Sequence, residues 1–132
     1  MESLNLDPSG YTPGIRFSPA QGKFEITGIS LPENVIDFYG PVLEWMDRYQ
    51  DDYIEEAVMD GRSDLDLIFK LDYYNSGTIR YLISILNKTK GFIEKGMNVT
   101  VSWYYDEDDE HLLDSGKELA DLTGLPIRFK AT

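Results

Sequence analysis

Apolar residues recur along the chain with two different spacings. In five segments they alternate with polar residues, as in a strand with one buried face. The apolar positions of these segments are Ile15 and Phe17, Phe24 and Ile26, Leu65 to Tyr73, Met97 to Tyr105, and Ile127 and Phe129. Between them, apolar residues recur at helical spacing over Val35 to Tyr49, Ile79 to Ile93 and Asp108 to Leu122. The pattern predicts the order β-β-α-β-α-β-α-β.

This order predicts an α/β fold with a mixed sheet of about five strands. The first two strands are expected to form a hairpin, and strands separated by helices pair in parallel through right-handed crossovers. A sheet covered on both faces would have continuously apolar strands, whereas these strands alternate. We therefore expect the helices mainly on one face of the sheet and water on part of the other.

Three local signals refine this prediction. Ser30 and Glu33 have the spacing of a capping box, so Ser30 is expected to cap the first helix. Pro41 should kink that helix or divide it near Gly40. Residues 1–13 are interrupted by prolines and glycine, and we expect a flexible N-terminal arm there, attached to a single domain that accounts for the rest of residues 1–132.

Charge and composition exclude several classes of function. The 132 residues include 24 acidic and 12 basic side chains, a net charge of -12 that disfavours binding to nucleic acid and to anionic membranes. Gln50 to Asp64 is a particularly acidic stretch. Without cysteine, the chain has no disulfide and no thiolate metal site. The N-terminus lacks the basic and apolar regions of a signal peptide, and no run approaches ~20 apolar residues, so we expect a cytoplasmic protein.

The candidate site lies where the third predicted strand meets the second helix. Asn75, Ser76, Gly77 and Thr78 occupy this junction, and Asn75 or Ser76 can be the N-cap of the helix. Ser76 is our first choice as a phosphate acceptor and Thr78 the second. Asn75 and Gly77 would shape the loop, because Gly77 leaves the neighbouring hydroxyl unshielded. The alternative, that Ser76 is only a helix cap, remains open at this point.

A phosphate at Ser76 has a physical rationale. The first N–H groups of a helix have no internal partners and carry positive partial charge, so the fold tolerates a dianion there. In an interface the same dianion would have to lose water, which is costly. Possible partner contacts are Tyr74, Arg80 and Tyr104, and strand alternation places Tyr74 and Tyr104 on the face opposite Tyr73, Trp103 and Tyr105.

Other chemistry finds little support. His111 follows an acidic run, but that run lacks the ligand alternation and central glycine of a calcium loop, and we expect no metal and no cofactor. Asp72 and Asp106 lie at strand ends and would be the acid–base pair of a small enzyme, which would require a deep pocket joining them. No nucleophile-elbow or phosphate-binding glycine motif occurs, so we expect a protein that is not an enzyme.

Several segments together resemble a known family. The junction is similar to the phosphorylation loop of STAS-domain anti-sigma factor antagonists, and more similar still to the SiaC-family regulatory phosphoproteins, a STAS-like bacterial family. The matching segments are Thr12-Pro13, Leu31-Pro32-Glu33-Asn34, Leu71 to Arg80, and Val101 to Asp106. The likeness spans roughly Tyr11 to Phe129, and it depends on the order and spacing of these segments.

The resemblance implies a STAS-like fold and a phosphorylation switch. Ser76 matches the family's acceptor, although the acceptor can also be threonine, and Asn75 and Gly77 belong to its loop. A dedicated Ser/Thr kinase would add the phosphate and a PP2C-type phosphatase would remove it. The unphosphorylated form would bind and activate a diguanylate cyclase, raising cyclic di-GMP. The alternative is an anti-sigma factor antagonist in a partner-switching pathway.

Overall fold

The computed structural model describes all residues from Met1 to Thr132 and contains one six-stranded sheet. The strands are β1 (Leu4–Leu6), β2 (Gly14–Ser18), β3 (Lys23–Ser30), β4 (Asp64–Tyr74), β5 (Asn98–Tyr105) and β6 (Ile127–Ala131). The helices are α1 (Val35–Arg48), a π-helical turn (Tyr49–Tyr53), α2 (Ile54–Met59), α3 (Ser76–Glu94) and α4 (Glu110–Thr123). No helix is both long enough and apolar enough to cross a membrane.

The strands lie in the sheet in the same order as in the chain. The β1–β2 and β2–β3 pairs are antiparallel, and the β3–β4, β4–β5 and β5–β6 pairs are parallel. Each parallel crossover advances the sheet by one strand in the same direction, and crossovers of one hand then place all their helices on one face. The predicted α/β architecture is confirmed, with six strands where about five were expected.

The additional strand lies in the segment 1–13, which was expected to be a flexible arm. Leu4 pairs with Phe17 and Leu6 pairs with Ile15, and both leucines pack against the core. This two-residue alternation was too short to stand out in the sequence, and the prolines that suggested an irregular arm all follow it. The segment therefore contains the edge strand β1, which the prediction missed.

The predicted capping box at Ser30 is wrong. Ser30 is fully buried as the last residue of β3, where it pairs with Tyr74. The helix begins five residues later, at Val35, and Asn34 is its cap: the side chain accepts a hydrogen bond from the N–H of Asp37 at 3.0 Å. Strand pairing thus extends further along the chain than the capping motif suggested.

Pro41 does not divide the first helix. The acidic stretch that follows this helix, Gln50 to Asp64, is also mostly helical. Helix α1 continues past Pro41, and its buried face, with Val42 and Met46, is held on the sheet. Loss of one backbone donor at a proline is evidently outweighed by this packing. The π-helical turn and α2 extend the same run to Met59, with Ile54 buried and the acidic side chains turned outward.

The core fills the space between the sheet and its helices. Its centre is aromatic: the ring centroid of Phe24 lies 5.3 Å from that of Trp45 and 5.0 Å from that of Tyr49. Tyr49 in turn lies 4.9 Å from Phe92 of α3. These edge-to-face contacts join β3, α1, the π-helical turn and α3, and so fix the position of α3 relative to the sheet.

Candidate functional site

A β-bulge near the end of β4 determines which way the side chains point just before the candidate site. Leu71 pairs with Gly28 and Tyr73 pairs with the next residue, Ile29, so Asp72 is an extra residue without a partner on β3. A bulge reverses the alternation of side chains beyond it. Tyr73 is consequently 55% exposed, and Tyr74 turns towards the helices.

The expected distribution of tyrosines between the two faces is therefore corrected at two positions. The ring of Tyr74 lies 6.0 Å from that of Trp103, perpendicular to it, on the same side of the sheet. Tyr104 lies on the opposite face, as alternation predicted, because β5 has no bulge. The sequence offered no signal for the bulge beyond an aspartate followed by two tyrosines.

Asn75 forms the N-terminal cap of α3. Its backbone is extended, with φ -88° and ψ 170°, and its Oδ1 accepts hydrogen bonds from the N–H of Thr78 at 3.0 Å and from the Thr78 hydroxyl at 2.8 Å. Ser76 is the first helical residue, its side chain is exposed, and its hydroxyl makes no hydrogen bond within the protein. Ser76 is therefore not the cap, and the fold makes no use of its hydroxyl.

Thr78 is buried, and its hydroxyl belongs to a chain of hydrogen bonds inside the protein. Its hydroxyl lies 2.9 Å from the hydroxyl of Ser30, which lies 2.7 Å from the hydroxyl of Tyr39. The Thr78 hydroxyl has two partners that can only accept, Asn75 Oδ1 and, at 3.2 Å, the carbonyl oxygen of Ser30. Because the Thr78 proton goes to one of these, the Thr78 hydroxyl accepts from the Ser30 hydroxyl, which in turn accepts from Tyr39. Burial raises the pKa of Tyr39, so its phenol keeps the proton that this chain requires.

This buried chain leaves Ser76 as the accessible hydroxyl at the junction. Thr78 was the second choice as a phosphate acceptor, but its side chain is fully buried. A kinase could reach it only if the start of α3 opened. The chain also connects the loop at Asn75 to β3 and α1, so the backbone around Ser76 is held from several sides.

Exposed apolar side chains lie at the same edge of the sheet. Tyr73 precedes Ser76 and Ile79, 37% exposed, follows it by one turn. Ile36, in the first turn of α1, is 66% exposed. Tyr11 is 68% exposed, and its carbonyl accepts a hydrogen bond from the N–H of Leu31 beside the end of β3. Sequence reasoning missed these four residues as surface anchors, because burial of aromatic and branched side chains is the usual expectation.

The three expected partner contacts do not share one surface. Arg80 is exposed and lies four residues after Ser76, so both occupy one face of α3. Tyr74 is half-buried; burial raises the pKa of its phenol, a hydrogen bond to Ser115 opposes this, and Glu118 adds to it. Tyr104 lies on the open face of the sheet, away from the helices.

The two carboxylates considered for catalysis line the same open groove. The groove has a volume of about 880 Å³ and is lined by Lys70, Leu71, Asp72, Tyr104, Tyr105, Asp106, Asp108, Asp109, Leu112 and Thr132. Asp72 and Asp106 are both exposed to water, and Asp106 accepts a hydrogen bond from the N–H of Asp108 at 2.9 Å. His111 is exposed, and no group of three His, Cys, Asp or Glu side chains has the arrangement of a metal site.

The molecule is thus a small α/β domain with helices on one face of its sheet and an exposed serine at the start of α3. The family model for the SiaC family regulatory phosphoprotein matches residues 6–132, and the chain belongs to that family. A relative is an uncharacterised protein of Pseudomonas aeruginosa strain UCBPP-PA14. It is 26% identical over 131 residues, which cover 99% of this chain and 98% of the relative.

Solved structures of SiaC from Pseudomonas aeruginosa have the same fold. Apo-SiaC superposes with a TM-score of 0.84 at 24% identity, covering 99% of this chain and all of that one. A second structure is the diguanylate cyclase SiaD in complex with its activator SiaC. There the TM-score is 0.84 at 25% identity, covering 98% of this chain and 99% of that one.

Proposed function

We propose that this protein is a non-enzymatic regulatory phosphoprotein that binds and activates a diguanylate cyclase, and that phosphorylation of Ser76 ends this binding. The observation that carries the proposal is the exposed hydroxyl of Ser76, which makes no hydrogen bond and lies beside exposed apolar side chains. The activator role of SiaC towards SiaD supports the nature of the partner.

The start of α3 tolerates a phosphate. Ser76 lies at the first helical position, where backbone N–H groups lack acceptors, and the first turn contains no acidic residue. A phosphoserine carries about -1.5 to -2 charges at neutral pH, which the positive end of the helix dipole favours. Because Asn75 rather than Ser76 supplies the cap, the modification breaks no hydrogen bond of the fold.

The same phosphate would oppose a complex. Apolar anchors such as Tyr73 and Ile79 bind by excluding water from the surface around them. A dianion between them would have to be desolvated without a cationic partner, at a cost of several kcal/mol. Arg80 is the nearest cation in sequence on this helix face, and it offers only one exposed charge.

The loop geometry suits enzymes that act on the serine. A Cβ added at Gly77 would meet only Asn75 Oδ1, at 3.6 Å, so the space beside the hydroxyl of Ser76 is open. We assign the addition of phosphate to a Ser/Thr kinase and its removal to a PP2C-type phosphatase, acting in the cytoplasm. The exposed Asp72 and Asp106 do not resemble the differently buried carboxylates of acid–base enzymes, which supports a non-catalytic role.

Binding to the host's own diguanylate cyclase tests the proposal. Ser76→Ala should bind within about threefold of the wild type, whereas Ser76→Asp should bind at least about tenfold more weakly, a difference of ~1.4 kcal/mol. Isothermal titration calorimetry would measure both. The control is Asn87→Asp, which adds one charge to an exposed position of the same helix and should leave affinity unchanged.

One outcome would count against the switch and another against the identity of the partner. Equal affinity of Ser76→Asp and Ser76→Ala, with both proteins folded by circular dichroism, would show that charge at this position does not control the complex. Binding to an anti-sigma factor in place of the cyclase would retain the switch and assign the alternative partner, which the SiaC–SiaD complex does not favour.

A further inference from the structure

We propose that the open face of the sheet over β4, β5 and β6 is a second docking surface, and that it takes an extended acidic segment of a protein partner. Its central residues are Lys70, Tyr104, Arg128 and Lys130, here called the basic sheet patch. They lie on the face without helices, so this surface is distinct from the one around Ser76.

The strand register assembles the patch. Tyr104 pairs with Lys130 across β5 and β6, and Ser102 pairs with Arg128 one step along. On the other side of Tyr104, the Nζ of Lys70 lies 4.8 Å from its ring centroid, and the Nζ of Lys130 lies 5.5 Å from it. An aromatic ring is therefore held between two ammonium groups.

The charge of the patch opposes that of the molecule. The protein carries a net charge of -12, yet the cross-strand row Ile68–Ser102–Arg128 and the pair Tyr104–Lys130, with Lys70 on the other side of the Tyr104 ring, contain three cations and no carboxylate. The aspartates of the open groove that Lys70 and Tyr104 also line lie further along the chain, towards and beyond the C-terminal ends of β4 and β5.

These cations are mostly unpaired. Arg128 and Lys130 form no ion pair within the protein. Lys70 approaches Glu25 at 3.8 Å, but Glu25 is closer to Lys23, at 3.1 Å. An incoming anionic group would therefore meet cations that the fold has not neutralised.

Because β6 lies at the edge of the sheet, the segment that binds there is expected to be extended. β6 is the last strand of the sheet, so one side of its backbone has no strand partner and can accept a further strand. A segment added there would have alternate side chains on the open face, next to Arg128 and Lys130. Acidic residues at every second position would match these two cations, and Tyr104 supplies an aromatic anchor.

A protein segment fits this patch better than a nucleic acid. Nucleic-acid binding depends on many cations that replace counterions, and the patch has three. The net charge of -12 also repels a long polyanion at a distance, whereas a short acidic segment brings only a few charges. The proposed occupant is thus a short acidic strand.

A fluorescent decapeptide of alternating glutamate and threonine is a direct probe. By fluorescence anisotropy at physiological salt, the wild-type protein should bind it more tightly than an uncharged alternating serine and threonine peptide of the same length. The double variant Arg128→Glu/Lys130→Glu should bind at least about tenfold more weakly. The control double variant Lys95→Glu/Lys117→Glu has the same change of charge at exposed helix positions outside the patch and should bind as the wild type.

The neutral variant Arg128→Gln/Lys130→Gln keeps the test valid if charge reversal impairs folding, and it should also weaken binding. Ser76→Asp should leave this binding unchanged, which separates failure of this proposal from failure of the switch. Equal affinity of the wild type and the neutral variant would overturn the proposal. So would tighter binding of a single-stranded oligonucleotide of the same charge as the peptide.

Discussion

At the scale of single residues, the start of α3 depends on one amide side chain. Asn75 Oδ1 accepts from both the N–H and the hydroxyl of Thr78. Asn75→Ala should lower the free energy of unfolding by about 1 kcal/mol, as removal of an N-cap usually does. Asn75→Asp keeps an acceptor and should lose less. Urea denaturation followed by circular dichroism would measure both.

A matched control for this prediction is Ser76→Ala. The hydroxyl of Ser76 makes no hydrogen bond, so its removal should change the free energy of unfolding by less than about 0.5 kcal/mol. Equal losses for Asn75→Ala and Ser76→Ala would contradict the assignment of the cap.

The sequence located this junction but could not distinguish the roles of its residues. Asparagine and serine are both favoured N-caps, so the choice between Asn75 and Ser76 depended on where β4 ends. That end depends on the bulge at Asp72, which reverses the orientations predicted for Tyr73 and Tyr74. Alternation was reliable from Leu65 to Leu71, because no residue is inserted there.

At the scale of elements, α4 lies close to β5 because Gly116 has no side chain. A Cβ at this position would lie 2.7 Å from Nε1 of Trp103, which also donates to the carbonyl of Leu112 at 3.1 Å. Gly116→Ala should therefore lower the free energy of unfolding by about 1–3 kcal/mol through overpacking. Chemical denaturation monitored by tryptophan fluorescence would measure the loss.

Gly77→Ala, in α3, is the control for the stability measurement on Gly116→Ala. It also places alanine in a helix, but the added Cβ makes only an ordinary contact with Asn75 Oδ1 at 3.6 Å. Helix propensity favours alanine over glycine by about 1 kcal/mol, so this variant should be as stable as the wild type or more stable. A Gly116→Ala variant as stable as Gly77→Ala would disprove the close contact with Trp103.

Helical spacing predicted the existence of these elements better than their limits. The apolar stripe from Val35 to Tyr49 was strong enough to identify α1, but the sequence rule for Pro41 did not weigh the packing of that stripe on the sheet. For the acidic stretch after it no helix was predicted, because its apolar residues, among them the buried Ile54, are sparse.

At the scale of the whole molecule, the order of strands and helices predicted the α/β class and the parallel pairing, since strands separated by helices pair through right-handed crossovers. The order of the strands within the sheet came only from the structure. The alternation of apolar and polar residues in the strands correctly predicted that the helices lie on one face of the sheet. Net charge was less informative. The net charge does not show how charge is distributed over the surface. The basic sheet patch arises because the register places Lys130 beside Tyr104 and Arg128 beside Ser102, with Lys70 on the other side of the Tyr104 ring.

The central claim is that Ser76 carries the regulatory phosphate. The most direct measurement is peptide mass spectrometry of the protein purified from its own host, together with its intact mass. We predict a fraction with one added phosphate on Ser76 and none on the buried Thr78. Protein that is never phosphorylated under any growth condition, or that carries its phosphate on Thr78, would contradict the account.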